Sequence, residues 1–420
     1  MGFNIFKNTV LLFVLILVSC GSKSQKDSAL IKHNESSEQN HENVSVGANQ
    51  TSEYLPLLNG KSVGIVANQT SVIFTNEIAS MSQDQPGNEG YTHLVDSLVN
   101  LNVNVTKVFA PEHGFRGTAD AGEHVADGID IKTGLPIISL YGKNRKPSKE
   151  VLEGIDIMVF DIQDVGIRFY TYIYTMHYIM EACAELNIPV IVLDRPNPNG
   201  HYVDGPILEE AFSSFIGMHP TPIVYGMTIG EYAQMINGEG WLDNAIKCEL
   251  TVISLKNYTH NTTYHLPIRP SPNLPNSKSI NLYPSVCLFE GTNVSEGRGT
   301  ETQFQVFGSP FLDQQQYTYT FTPQPSFGSK YPKHDGILCY GLDLTQIDDL
   351  KTLNLNWIID AYNNTSNQDE FFIPFFSKLA GTDKLQQQIE TGFTQGEIKA
   401  SWKAGLDNFM TTRAKYLIYD

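Results

Sequence analysis

Five short apolar runs recur through the first half of this 420-residue chain, and helix-like segments lie between some of them. Continuous apolar strands that alternate with helices are typical of a parallel sheet covered on both faces. We therefore predict an α/β fold whose N-terminal part is built on a mainly parallel sheet. The predicted strands are residues 62–67, 103–109, 136–140, 155–160 and 188–193, and the predicted helices are 91–100, 148–152 and 172–186.

Composition excludes several classes of protein. The net charge is −17, so the chain lacks the basic surface that a general nucleic-acid binder needs to neutralise phosphates. No apolar run of about 18–20 residues follows the first twenty, so no internal membrane span is predicted. The sequence also lacks G-x-G-x-x-G, the P-loop motif and repeated C-x-x-C. We therefore predict no cofactor, no metal and no nucleic-acid partner.

The first twenty residues resemble an export signal. Lys7 is the only charge before an apolar stretch at 9–18, and small residues then precede Cys20, as in a bacterial lipobox. We predict a lipoprotein signal peptide at 1–19, acylation of Cys20 and a flexible polar tether at 20–52. The protein would then be a periplasmic or cell-surface lipoprotein anchored in the outer membrane. A plain signal peptide with an incidental cysteine is the alternative.

Polar and glycine-rich residues follow each predicted strand of the sheet. In such sheets, ligands bind beyond the carboxyl ends of the strands, so these residues are expected to form one composite site. The alternative is that they are ordinary polar loop residues. The candidates are Asn68 after the first strand, Glu112, His113 and Arg116 after the second, Asp161, Asp164 and Arg168 after the fourth, and Arg195 after the fifth.

Arginine is scarce but concentrated in these segments. The chain has seven arginines, and five of them lie beside glycine, proline or carboxylates. Arginine suits a planar, bidentate grip on a carboxylate, so the pattern favours an anionic ligand. Internal arginine–carboxylate pairs that brace the loops are the alternative. The five arginines are Arg116, Arg168, Arg195, Arg269 and Arg298.

A proline-rich stretch begins the second half of the chain. Four prolines at 267–275 indicate an extended crossing, so we predict an α/β domain at 53–265 and a smaller α+β domain at 266–420. Strands are predicted at 285–289 and 337–344, and helices at 357–362, 383–391 and 397–413. The first of these strands leads into a glycine-rich segment with Glu290, Asn293, Glu296 and Arg298. The active site is expected in the cleft between the domains.

Glycoside hydrolysis fits these residues because it needs two carboxyl groups in different environments. The candidates are Glu112 and Glu123 from the first domain and Glu290 and Glu296 from the second. Glu112 is favoured as the acid/base, since it stands between Pro111 and His113 at a strand end. Capping of a helix or pairing with Arg116 is the alternative role.

Other chemistries have weaker support. A metal could be held by some of the histidines and carboxylates, but no ligand spacing such as H-E-x-x-H occurs. Asp161 and Asp164 could bind sugar hydroxyls or satisfy backbone donors. Residues 170–172 could line a pocket or pack in the core. The metal alternative would use His113, His124, Asp120, Glu123 and Asp161.

Several segments together resemble one family, the NamZ-type exo-β-N-acetylmuramidases, which are peptidoglycan hexosaminidases formerly described as a domain of unknown function. The resemblance covers about residues 55–420, and the lipobox is similar to that of family members from the Bacteroidetes. It implies a Rossmann-like N-terminal domain, a smaller C-terminal domain and release of N-acetylmuramic acid from the non-reducing ends of cell-wall fragments. The segments are 109–125, 159–176, 192–206, 226–233 and 271–300.

The implied substrate suits the arginines, because N-acetylmuramic acid carries a lactyl carboxylate that a guanidinium can bind. The partners expected are peptidoglycan-derived saccharides that end in muramic acid, and the membrane through the anchor on Cys20. A non-catalytic glycan- or peptide-binding lipoprotein with the same cleft is the alternative. A metal-dependent peptidoglycan amidase or peptidase is a second one.

Overall fold

A seven-stranded sheet organises the first half of the structure, a computed structural model that describes residues 43–74, 90–117, 127–142 and 144–420. Its strand order is β5-β6-β4-β1-β7-β8-β9, and all neighbours are parallel except β5 and β6. The strands are β1 (Val63–Ala67), β4 (Val105–Ala110), β5 (Gly128–Ile129), β6 (Pro136–Ser139), β7 (Ile157–Asp161), β8 (Val190–Leu193) and β9 (Leu250–Ile253), and a separate ribbon pairs β2 (Val72–Phe74) with β3 (Tyr91–His93).

The five apolar runs therefore form strands of one parallel sheet, as predicted. Strands β1, β7 and β8 are buried at every position, which explains why their sequences are apolar without alternation. The helices of this half are α1 (Thr51–Leu58), α2 (Leu94–Asn100), α3 (Lys149–Leu152), α4 (Tyr172–Glu185) and α5 (Ile229–Gly238).

The predicted helix at 91–100 begins three residues later than expected. Tyr91–His93 pairs antiparallel with Val72–Phe74, and the His93 side chain accepts a hydrogen bond from the Val95 amide. That imidazole caps α2 at its first turn, so the helix starts at Leu94.

A three-stranded antiparallel sheet lies in the second half, in the order β10-β12-β11. Five helices accompany it, which confirms the predicted α+β character. One face of the last helix is buried through Trp402, Phe409 and Arg413, as predicted. The elements are β10 (Val306–Ser309), β11 (Tyr319–Phe321), β12 (Cys339–Asp343), α6 (Ser277–Val286), α7 (Asn356–Asn363), α8 (Phe375–Ala380), α9 (Lys384–Glu390) and α10 (Gln395–Arg413).

The predicted strand at 285–289 is wrong. These residues end α6 and continue into a 3₁₀ helix at Cys287–Gly291. A short apolar run that is buried on all sides has no periodicity to separate strand from helix. The deciding signal lies upstream, where Asn276 and Ser279 form a capping box that starts the helix.

The packed part of the chain begins earlier than predicted. Val46 and Ala48 are buried, and the Gly47 amide donates to the Asp194 carbonyl at 2.9 Å. Residues 43–52, which were predicted as part of a flexible tether at 20–52, therefore belong to the packed structure. The predicted signal peptide and Cys20 lie outside the described residues. Within the described ranges, no helix is long and apolar enough to cross a bilayer.

One apolar core continues past the proline-rich stretch at 267–275. Buried residues of α4 and α5 belong to the same cluster as buried residues of α6, α7 and α10. A second cluster fills the opposite face of the sheet with residues of α1 and α2. The two halves therefore share one packed interior, which fixes the loops at the carboxyl edge of the sheet against the second half.

Candidate active site

The loops at the carboxyl edge of the sheet are tied to one another by short hydrogen bonds. The Ser71 hydroxyl donates to the Asp161 carbonyl, and the Gln163 amide donates to the Thr70 hydroxyl at 3.0 Å. Thr70 in turn donates to the Asn68 side-chain oxygen from its amide and its hydroxyl, at 2.9 and 2.6 Å. Asn68 is fully buried. Asn68 therefore shapes the loop after β1. It was predicted to contact substrate, but its side-chain oxygen accepts hydrogen bonds from Thr70 in this structure.

Glu112 lies at this edge, two residues after the end of β4, and is half-buried. The Thr171 hydroxyl donates to its carboxylate at 3.1 Å, and the Tyr172 hydroxyl reaches its backbone carbonyl at 3.5 Å. Tyr141 also hydrogen-bonds the carboxylate. Burial, together with the negative charge of Glu112, raises the pKa of Tyr141 to about 12, so the phenol keeps its proton and donates it. Glu112 is thus held by hydroxyl groups from two different loops.

The turn that carries Glu112 is set by its neighbours. His113 is buried with a φ of 70°, and the Gly114 amide donates to the Pro111 carbonyl at 3.0 Å. A left-handed conformation at a histidine is uncommon and persists only when the surroundings fix it. His113 therefore holds a fixed conformation in the turn that carries Glu112.

A row of aromatic side chains leads from Glu112 toward the second half of the chain. The ring centroids of Tyr172 and Tyr170 are 5.0 Å apart, and those of Tyr170 and Tyr283 are 6.1 Å apart. Tyr283 contacts Phe304 at 4.9 Å, and the Arg298 guanidinium lies 5.2 Å from the Phe304 ring. The row therefore connects the predicted acid/base with the predicted carboxylates of the second half.

The Pro270 carbonyl links this row to the proline-rich stretch. It accepts hydrogen bonds from the hydroxyls of Tyr170 and Tyr172, at 2.8 and 3.4 Å, and from the Gln69 side chain at 3.2 Å. The crossing that was predicted as a domain boundary is therefore also part of the site.

The carboxylates of the second half are paired with cations. Arg298 contacts Glu290 at 2.6 Å and Glu296 at 3.3 Å, and Lys333 lies 3.4 Å from Glu296. Burial lowers the pKa of Arg298, but the charges of the two glutamates outweigh it and raise the pKa overall. The side chain of Glu290 is 21% exposed and that of Glu296 only 4%, so Glu290 is the more accessible of the two.

Asp164 lies beneath the tyrosine row. It is almost completely buried and accepts hydrogen bonds from the Gly166 amide at 2.7 Å and from the Tyr225 hydroxyl. Burial raises its pKa to about 6, against the effect of these donors. Burial is the main cause of the raised pKa values of Tyr170 and Tyr172, and the negative charge of Asp164 adds to it. In this structure Asp164 therefore has the alternative role, in which its carboxylate satisfies donors of the protein interior.

Two predicted ligand-binding residues form an interior brace instead. Arg195 donates from Nε and Nη2 to the two carboxylate oxygens of Asp161, at 2.6 and 2.8 Å, and Nη2 also donates to the Val72 carbonyl. Asp161 has no exposed surface and Arg195 has 3%. The structure assigns this pair to the bracing role that was the alternative for the arginines.

Arg168 is a second correction. Its side chain is completely buried and donates to four backbone carbonyls, so in this structure it presents no surface to a ligand. The carbonyls come from both halves of the chain, so the hydrogen bonds of Arg168 hold the two halves together. The acceptors are Pro206 at 2.8 Å, Thr221 at 2.6 Å, Leu379 at 3.1 Å and Ala380 at 2.6 Å.

Arg116 and Arg269 differ in whether a carboxylate of the described residues pairs with the guanidinium. Arg116 is paired with Asp96 at 3.1 Å and Asp130 at 2.8 Å. Arg269 is exposed beside Pro270, its carbonyl accepts from the Gln69 side chain at 3.3 Å, and among the described residues no ion pair involves it. Arg269 is therefore the arginine of the five whose guanidinium is best placed to meet a carboxylate from solution.

Some candidates are not brought together. Asn293 lies in the loop that also carries Glu296, and its backbone carbonyl accepts a hydrogen bond from the His334 side chain at 2.7 Å. Glu123, His124 and Asp120 lie outside the described residues. In the described ranges no three His, Cys, Asp or Glu side chains are grouped as a metal site.

A groove of about 830 Å³ lies away from these residues and is lined by residues of α10 and the C-terminus.

Four residues of this arrangement were missed or undervalued. Tyr141 follows β6 at the same edge as Glu112, a position that the strand-end rule marks. Thr171 and Tyr172 lie in a segment for which core packing and a pocket were both open. Tyr283 belongs to the helix that was misassigned, so no pattern in the sequence pointed to it.

A parallel α/β sheet with a carboxylate at its carboxyl edge, faced by an α+β region with further carboxylates, is the two-part arrangement of a glycoside hydrolase that uses paired carboxylates. The chain belongs to the NamZ family of exo-β-N-acetylmuramidases. The family's sequence models, described as "Exo-beta-N-acetylmuramidase NamZ", match residues 63–278 for the N-terminal part and 281–419 for the C-terminal part.

Relatives and solved structures agree with this assignment. The chain is 40% identical over 387 residues to "Peptidoglycan beta-N-acetylmuramidase NamZ" of Bacillus subtilis, covering 87% of this chain and 89% of the relative. A DUF1343 family protein of Bacteroides fragilis is similar with a TM-score of 0.80 and 48% identity, covering 90% of this chain and 99% of that one. A second protein from the same organism has a TM-score of 0.74 and 27% identity, with 90% and 100% covered. The predicted family and fold class are confirmed.

Proposed function

We propose that this glycoside hydrolase releases N-acetylmuramic acid from the non-reducing ends of peptidoglycan fragments. Membership of the family and the name of the Bacillus relative support the activity. The observation that carries the proposal for this chain is the position of Glu112. Its carboxylate is half-buried at the carboxyl edge of the sheet, next to the hydroxyls of Thr171 and Tyr141.

Glu112 is proposed to cycle the proton. In a retaining reaction, it donates a proton to the glycosidic oxygen while the second carboxylate attacks the anomeric carbon, and it then accepts a proton from the water that hydrolyses the glycosyl-enzyme. In an inverting reaction, it donates the proton to the glycosidic oxygen and the second carboxylate accepts the proton of the attacking water. The Thr171 and Tyr141 hydroxyls hold the carboxylate in one orientation through this cycle. Retention and inversion both need a second carboxylate. Of the two described candidates, Glu290 is favoured because its side chain is the more exposed.

The proposal separates cleanly from its alternatives. A non-catalytic glycan-binding lipoprotein would bind the same saccharides without releasing product. A metal-dependent amidase would lose activity with a chelator and would cut the peptide linkage rather than the sugar linkage. Hydrolysis of a chromogenic N-acetylmuramide by the protein from residue 21 onward, in the presence of chelator, supports the glycosidase over both.

Recognition of the lactyl carboxylate is proposed to select muramic acid over glucosamine. A charge-assisted contact to a carboxylate contributes about 1.5–3 kcal/mol, which corresponds to roughly 10–150-fold in kcat/KM. We expect the protein to prefer N-acetylmuramides over N-acetylglucosaminides by about this factor. Arg269→Ala should narrow the preference, and Arg269→Lys should keep part of it, as measured by kcat/KM on both chromogenic substrates.

Arg298→Ala is the comparison variant for this preference. Because Arg298 already neutralises Glu290 and Glu296, its loss should slow hydrolysis of both substrates and leave their ratio near the wild-type value. Equal rates of the wild-type protein on the two substrates would contradict recognition of the lactyl group. A loss of the preference in Arg298→Ala alone would assign recognition of the lactyl carboxylate to Arg298.

Anchoring to the membrane through Cys20 is a separate proposal, supported by the lipobox-like sequence before it. We expect Cys20→Ala to give an unacylated protein that fractionates with soluble periplasmic proteins. Ser19→Ala is the matched control, because alanine also suits the position before the cleaved bond. Incorporation of labelled fatty acid and the distribution between pellet and supernatant measure the outcome. A Cys20→Ala protein that still carries label in the membrane pellet would exclude the lipobox.

A further inference from the structure

Two aromatic side chains stand out from a loop beside the site. In the segment 323–334, Phe327 is 55% exposed and Tyr331 is 94% exposed. Single exposed aromatics are ordinary on protein surfaces, but two on one short segment are not needed for folding and can serve binding. Neither residue has a part in the proposed acid/base chemistry, so both are open to another role.

The segment that carries them is held firmly. Ser326 and Ser329 exchange two backbone hydrogen bonds, at 2.9 and 3.0 Å, around a tight turn that places Phe327 at its tip. Gly328 follows with a φ of 89°, which suits glycine at the third position of a type II turn. The two rings are therefore presented by a defined turn. They do not sit on a loose chain.

Contacts at both ends of the segment fasten it to the candidate site. The Asn273 side chain donates to the Gly328 carbonyl at 2.7 Å. The Gln324 amide donates to the Gly299 carbonyl at 2.9 Å, and Lys333 donates to the Phe289 carbonyl at 2.7 Å while facing Glu296. The segment thus joins the Pro270–Asn273 stretch, which meets the tyrosine row, to the loop of Glu290, Glu296 and Arg298.

We propose that Phe327 and Tyr331 form the binding surface for the leaving-group sugar, the residue next to the muramic acid that is released. This inference rests on the proposed glycosidase function. An exo-acting enzyme encloses one terminal sugar, so the rest of the saccharide must pass over the rim of the site. The apolar C–H face of a pyranose packs well on an aromatic ring, and exposed aromatics with few rotatable bonds lose little entropy on binding.

The test compares substrates that differ only beyond the cleaved bond. Phe327→Ala, Tyr331→Ala and the double variant are assayed on N-acetylmuramyl-N-acetylglucosamine and on an N-acetylmuramide with a small chromogenic leaving group. Loss of aromatic packing should lower kcat/KM on the disaccharide by about tenfold in the double variant, mainly through KM. Activity on the chromogenic substrate should stay within about threefold of wild type. The conservative variants Tyr331→Phe and Phe327→Tyr keep an aromatic ring and should retain wild-type kcat/KM on the disaccharide.

Phe393→Ala is the control, since Phe393 is an exposed aromatic, 42% accessible, that follows α9. It should leave both activities unchanged. A double variant that matches wild type on the disaccharide would overturn the proposal. An equal fall on both substrates, with a lowered melting temperature, would also overturn it, because the segment would then only support the fold. A wild-type protein that hydrolyses neither substrate would instead refute the proposed function itself.

Discussion

Glu112→Gln is expected to lower kcat about 10²–10⁴-fold, the usual contribution of a general acid/base group, while the melting temperature stays at the wild-type value. The amide keeps the shape of the carboxylate and can still accept the hydrogen bond that Thr171 donates at 3.1 Å. It cannot release and recover a proton. The loss should therefore fall on turnover rather than on binding, and steady-state kinetics with a chromogenic N-acetylmuramide measures it.

Glu153→Gln provides the matched control, because Glu153 is an exposed glutamate just after α3 and should tolerate the change without effect. A Glu112→Gln protein that keeps more than about a tenth of the wild-type turnover would contradict the assignment. The acid/base role would then pass to Glu123, Glu290 or Glu296.

Arg168→Ala is expected to reduce the free energy of unfolding by about 3–5 kcal/mol, because the truncation removes a large buried side chain and the hydrogen bonds that it donates. Four carbonyls in the interior would lose their donor, and a cavity would form between the two halves of the chain. Urea unfolding at neutral pH measures the change. Arg269→Ala, at an exposed arginine, should alter stability by no more than about 0.5 kcal/mol.

A different outcome would restore the earlier interpretation of Arg168. If Arg168→Ala unfolds at the wild-type urea concentration and instead loses the preference for N-acetylmuramides, then this arginine binds substrate and the buried arrangement is not the one that functions.

The central sheet could be predicted because its strands are buried on both faces. A strand such as Ile157–Asp161 must then be apolar throughout, and each polar loop that follows must lie at the same edge. That reasoning found Glu112, and the same rule applies to the position of Tyr141 after β6. This prediction needed only the local sequence and the rule that such segments form parallel strands joined by right-handed crossovers.

The roles of the arginines could not be predicted in the same way. Arg168 binds the carbonyl of Pro206, 38 residues away, and that of Ala380, 212 residues away, so its burial depends on long-range packing. Arg195 and Asp161 are separated by 34 residues and meet only because β7 and β8 are neighbours. A local pattern shows that an arginine is present beside glycine and proline, but it does not show which carbonyl or carboxylate will reach it.

The wrong strand prediction at 285–289 shows that local sequence can also fail to distinguish a strand from a helix. The run is buried from Ser285 to Phe289, so it carries no amphipathic period. Tyr283 was hidden with it, and so was the middle of the aromatic row between Glu112 and Arg298. The aromatic link between the two parts of the site therefore emerged only from the folded chain.

Product analysis on a defined saccharide tests the central proposal most directly. The protein from residue 21 onward is incubated with a tetrasaccharide that alternates N-acetylmuramic acid and N-acetylglucosamine and begins with muramic acid at its non-reducing end. We predict free N-acetylmuramic acid and a trisaccharide as the first products, with none from the Glu112→Gln protein. A protein that binds the tetrasaccharide and releases no monosaccharide, or one that cuts it first into two disaccharides, would contradict the proposed exo-acting function.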